Sequence, residues 1–212
     1  MEVEAAIVAA DKFCEHSPSV IVGLEFQLCS MITALETPPP LQLRLIPLLR
    51  HNYGSTAALE RTQSFCEKLL AQYPTSEVYL AVIRTLSLLH RAVPVHAAAH
   101  AISLCTWAAQ DPRWAVKDCA LRHLARLCPS LEQLPAPALA MIWMITQDAP
   151  QPSLRGLALT VLAAVAKHQD ILSQRPLSDL LVFLTHMSAE VAAAAASVCA
   201  ALARKNVITE EM

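Results

Sequence analysis

His96 and His100 lie four residues apart, a spacing that sets two imidazoles on one face of a helix and can hold zinc. A zinc site needs three or four ligands, and here no H-E-x-x-H is present and Cys105 would fall on a different face. The pair therefore reads as two polar side chains on a helix rim. Seven cysteines are spread as Cys14, Cys29, Cys66, Cys105, Cys119, Cys128 and Cys199, with no C-x-x-C among them. All fall in apolar helical patterns, as small buried hydrophobes of a reducing compartment do. Ser, His and Asp are present, but nothing resembles a nucleophile elbow, and three glycines (Gly23, Gly54 and Gly156) cannot build a phosphate-cradling loop. The expectation is a chain with no catalytic residues, no metal and no cofactor.

The strongest polar signal is a set of bases. Asp111-Pro112 is followed by Val116, Lys117 and Ala120, and Ser153, Leu154, Arg155 and Ala158 repeat that pattern 38 residues on. Lys117 and Arg155 thus hold one repeat position and should stack along one edge, with Arg113, Arg122 and Arg126 nearby. One reading is an inter-repeat ladder with Asp111, Asp118 and Asp148, and this is the preferred one. The other is a partner-binding strip of Arg113, Lys117, Arg122, Arg126 and Arg155, facing an acidic protein or a nucleic-acid backbone. Trp107, Trp114 and Trp143 are expected to pack in the core.

The elements that must position these residues follow from a repeat. Val3, Leu41, Val78, Val116, Leu154 and Val191 are spaced by 37 or 38 residues. Four, eight and eleven residues beyond each start, the positions are apolar in every case except Asp11 and Asn52. Those offsets mark one face of a helix, and the period is that of a helical solenoid. Intervening segments supply five more helices. The expected helices are Val3–Glu15, Pro18–Leu35, Leu41–Arg50, Ser55–Gln72, Ser76–His90, Pro94–Gln110, Arg113–Leu127, Leu134–Gln147, Ser153–His168, Leu177–Met187 and Ala189–Arg204. The fold class is all-α, a HEAT/armadillo-like α-solenoid of eleven helices in antiparallel pairs. It is expected as one segment over residues 1–205, with a frayed tail over 206–212.

Composition agrees. The 212 residues include 14 Pro but only 3 Gly, which suits sharply cut helices and not a sheet. Thirteen prolines sit near expected boundaries; Pro47 lies inside a helix and should kink it, because it cannot donate a backbone bond. Gly156 falls within a helix and should let a neighbour approach closely. Apolar content is 55%, as helices buried on two faces require, and a net charge of −2 makes a general polyanion binder a poor reading. No apolar run is long enough to span a membrane and no secretory signal opens the chain. Ile7, Val8, Phe13 and the Val191–Leu202 face are expected to lack covering repeats, as in an internal piece of a longer array.

Four segments carry a family resemblance: Glu2-Val3-Glu4-Ala5-Ala6; Leu43 through His51 (LRLIPLLRH); Tyr73-Pro74-Thr75-Ser76; and Asp111 through Lys117 (DPRWAVK). Their order and spacing over roughly residues 1–172 resemble subunit seven of the metazoan Integrator complex. The resemblance implies a non-catalytic nuclear scaffold of HEAT/armadillo type. It would act in small nuclear RNA 3′-end processing and RNA polymerase II transcription attenuation. Its partners would be other Integrator subunits, with the polymerase machinery reached indirectly and no membrane or small-molecule substrate. The alternative is an α-solenoid that itself binds RNA or a transport cargo.

Overall fold

The computed structural model describes residues 2–17, 19–173 and 175–210, with the side chains of Ser19, Val22 and 206–210 left out. Among these residues there are eleven α-helices and no strand. None is by itself long and apolar enough to cross a membrane. The chain is all-α with helices in the order of a HEAT/armadillo-type repeat, and it divides into Met1–Val95 and His96–Met212.

The first unit holds α1 (Glu2–His16), α2 (Ser19–Thr33), α3 (Pro39–Leu45), α4 (Thr56–Gln72) and α5 (Ser76–Ala92). Ser55 and Thr75 cap α4 and α5, each hydroxyl accepting from the backbone N–H three residues on. Where a kink was expected at Pro47 the structure has a break: with no N–H at Pro47, the α-helix stops at Leu45 and the chain continues as a 3-10 turn, Ile46–His51. That turn packs against α1, α2 and α5, and its Ile46 and Leu49 are fully buried.

The second unit holds α6 (Ala97–Gln110), α7 (Trp114–Leu127), α8 (Ala136–Asp148), α9 (Pro152–Val165), α10 (Leu177–Leu184) and α11 (Ala189–Glu210). Helix α6 packs on α7 and α8, α9 on α7, α8 and α11, and α10 on α11. Gly156 is buried in α9, and a Cβ built there would lie 3.2 Å from Cγ of Glu190 on α11, so the helices do approach closely.

The repeat register survives in three dimensions. Leu49, Leu86, Leu124 and Leu162 share the plus-eight position and are at most 2% exposed. Its two polar exceptions both have partners. Asn52 donates from Nδ2 to the Thr62 hydroxyl at 2.8 Å, in the interior. Asp11 accepts from Arg50 at 2.9 Å and lies 2.9 Å from Nε2 of His51, tying α1 to the 3-10 turn.

Three expectations are corrected. Val191, Ala195, Val198 and Leu202 are buried, because the apolar face of α11 turns onto α9 and α10. Trp114 is 46% exposed, since it opens α7 and lies outside its apolar stripe, whereas Trp143 is buried. His100 is 2% exposed rather than on a rim, edge-on to Trp107 with ring centroids 6.3 Å apart. Of the expected tail, α11 runs on through 206–210, and residues 211–212 lie outside the described residues, as does Pro18.

Candidate partner-binding surface

All five bases of the expected strip fall on two helices of the second unit and the turns before them. Arg113 precedes α7. Its Nη2 lies 2.6 Å from Oδ2 of Asp111, and its Nε and backbone N–H both donate to Oδ1, at 2.9 and 2.8 Å. This Arg113 bonding holds the Asp111 carboxyl below the ordinary carboxylate range, with Lys117 adding a smaller attraction. Arg122 pairs bidentately with Asp118 one turn back on α7, at 2.8 and 3.0 Å. Arg126, in the last turn of α7, is exposed.

Lys117 and Arg155 point elsewhere. Lys117 Nζ donates to the Ala109 carbonyl in the last turn of α6 at 3.2 Å, and Arg155 Nε donates to the Ala149 carbonyl at the end of α8 at 2.6 Å. The last carbonyls of a helix have no intrahelical donor and carry partial negative charge, so a cation there is bound twice over. A third repeat does the same with a neutral side chain: Gln42 Nε2 donates to the Ala34 carbonyl just past α2, at 3.3 Å. Gln42, Lys117 and Arg155 each stand one residue beyond a repeat start. The position is a capping site for the preceding helix, and these contacts join consecutive helices rather than forming the expected ladder through Asp111, Asp118 and Asp148. Sequence reading singled out Lys117 and Arg155 by charge and passed over Gln42; donor capacity at one repeat position was the signal available.

No cluster of three or more metal-ligating side chains occurs among the described residues. His96 ends a 3-10 turn at the N-cap position of α6, whereas His100 lies within the helix. Burial pushes three thiols upward, Cys29 to about 11 and Cys66 and Cys128 to about 12, which suppresses the thiolate form at those positions.

Two depressions in the first unit escaped the sequence reading. One is an apolar groove of about 610 Å³ lined by Ile7, Ala10 and Phe13 of α1, Leu24 and Leu28 of α2, and Leu45 of α3. The other, about 400 Å³, lies beside the Pro38-Pro39-Pro40 turn. Both depend on how helices meet, which no single helical pattern states.

The family model for the N-terminal region of Integrator complex subunit 7 matches residues 1–210. The chain belongs to the Integrator complex subunit 7 family. That match continues past residue 172, where the resemblance in sequence segments faded. Among curated relatives named Integrator complex subunit 7, the zebrafish (Danio rerio) protein is 30% identical over 134 residues, covering 63% of this chain and 14% of the relative. The human protein is 32% identical over 127 residues, covering 60% and 13%. An Integrator complex subunit 7 homolog of Dictyostelium discoideum is 27% identical over 181 residues, covering 85% and 17%. The chain thus spans a small fraction of the relatives it matches. Among solved structures it is similar to a designed armadillo repeat protein, with TM-score 0.57 and 14% identity over 93% of this chain and 92% of that one. An engineered protein, target OR497, aligns with TM-score 0.58 and 19% identity over 93% and 53%. These structural likenesses establish the repeat fold.

Proposed function

We propose that this chain is a non-catalytic scaffold segment within the nuclear Integrator assembly. The processes it serves are small nuclear RNA 3′-end processing and attenuation of RNA polymerase II transcription. The observation that supports this most is a subunit 7 family match along residues 1–210 joined to a helical-repeat fold. Repeat folds offer long surfaces built for binding. The partners are other Integrator subunits, and contact with the polymerase machinery is indirect.

Within the strip, the base open to an acidic partner is Arg126 in the last turn of α7, since Arg122 is paired with Asp118. Arg113, Lys117 and Arg155 are engaged by Asp111 and by helix-end carbonyls. A rim charge acts on association rate and specificity more than on fold stability. The test is rescue in cells depleted of subunit 7, with the full-length protein carrying Arg126→Glu in this region. The reading expects accumulation of unprocessed small nuclear RNA with normal protein abundance. Full rescue would move the partner surface elsewhere on the chain. Rescue by a version lacking this segment altogether would overturn the reading.

A further inference from the structure

The 400 Å³ depression beside the Pro38-Pro39-Pro40 turn has a chemistry of its own. Its walls are Ile32 at the end of α2, Leu43 and Ile46 around the α3 break, Tyr73 closing α4, and Val78 in the first turn of α5. The volume lies in the range of small-ligand pockets, which run from roughly 300 to 1,000 Å³. Ile32 and Ile46 form a buried apolar floor. Glu77 lines the rim and is exposed, and no ion pair engages it among the described residues. The nearest base in sequence on α3, Arg44, is turned to Glu4 at 2.8 Å.

Helix ends decide little here. Those of α2 and α4 bring carbonyls and those of α3 and α5 bring N–H groups, so their partial charges offset. The N–H side is further weakened for an anion. Pro39 and Pro40 at the start of α3 have no N–H, and at the start of α5 the Val78 N–H is already given to the Thr75 hydroxyl. The net charge of the lining is the Glu77 carboxylate.

We propose that this pocket takes an arginine side chain from a partner protein. An arginine guest meets each part of it: the methylene stem lies along Leu43, Ile46 and Val78, and the guanidinium reaches Glu77 beside the Tyr73 ring. Arginine is preferred to lysine because its planar head is weakly hydrated and bonds a carboxylate in two places. The proposal rests on the scaffold reading only for the source of that side chain.

The test needs no other subunit. The purified chain is titrated with N-acetyl-arginine amide, with the citrulline amide as its neutral isostere and the lysine amide as a second cation, following the NMR signals of Ile46 and Val78. Saturable shifts are expected with arginine, with citrulline about tenfold weaker, as loss of a charge-assisted pair implies. Glu77→Gln should bring arginine down to the citrulline level with the fold retained and at most a small drop in melting temperature, from the lost first-turn carboxylate of α5. Leu43→Trp, which fills the pocket, should abolish binding of both. Equal binding of arginine and citrulline, tighter binding of the lysine amide, or no shift at Ile46 and Val78 would overturn the assignment. Failure of this titration leaves membership of the assembly untouched, and failure of the cellular rescue leaves the titration result standing.

Discussion

Lys117 and Arg155 stand one repeat apart and make the same bond: each donates to a carbonyl at the end of the helix before its own, Ala109 at 3.2 Å and Ala149 at 2.6 Å. These two bonds fasten one helix to the next. Replacing either by Met keeps the stem and removes the donor. Each should lower stability by about 1 kcal/mol in chemical denaturation, the scale of one partly exposed charged hydrogen bond at a helix end. Reversal to Glu should cost more, since a carboxylate would then face the carbonyl. Lys117 and Arg155 are therefore poor positions for separating assembly from folding, whereas the exposed Arg126 is suitable.

Leu86, Leu124 and Leu162 hold one position of the repeat and are at most 2% exposed. Truncating any one to Ala should cost about 2–5 kcal/mol, transfer and cavity terms together. A loss below about 0.5 kcal/mol at all three, within the range of surface substitutions, would mean the register is misassigned.

Helices and register were legible because prolines punctuate the boundaries and the four-eight-eleven spacing is nearly unbroken. A disturbance at Pro47 could be foreseen, because a missing N–H acts locally, but the change from α-helix to 3-10 turn could not. What escaped depends on relations between helices. Trp114 is aromatic in sequence but starts α7 outside its apolar stripe. His100 is polar in sequence yet buried beside Trp107. The partners of Lys117, Arg155 and Gln42 lie six or eight residues back across a turn, where donor chemistry rather than charge decides the contact. The pocket around Glu77 draws on four helix ends and has no signature in any one of them.

Asp111 sets a pH dependence. Its carboxyl is held below its ordinary value of 3.8 by the Arg113 hydrogen bond. A depressed folded-state pKa means the ionised form stabilises the fold; the contribution is complete above about 3.8 and is lost as pH falls through the lower folded value. Asp111→Asn should therefore melt lower than wild type at pH 7, and the gap should close as the pH is taken below 3.8. A gap that is constant across that range would show that the ion pair contributes nothing.

Gly156 separates helix propensity from close packing. In Gly156→Ala the new methyl meets only the flexible Glu190 side chain at 3.2 Å, while the helix gains about 1 kcal/mol of propensity. Stability should stay level or rise slightly. Gly156→Leu would push α11 away from α9 and should destabilise by about 1–3 kcal/mol, as overpacking does. Equal melting temperatures for the two variants would show that α9 and α11 do not pack this closely.

Affinity purification tests the central claim most directly. The tagged chain is recovered from nuclear extract, treated with nuclease and identified by mass spectrometry. A scaffold segment of the Integrator assembly should bring down other Integrator subunits, and nuclease should leave their recovery unchanged. Recovery without any Integrator subunit, or recovery of RNA-bound proteins that nuclease and moderate salt abolish together, would contradict the account in favour of direct RNA binding.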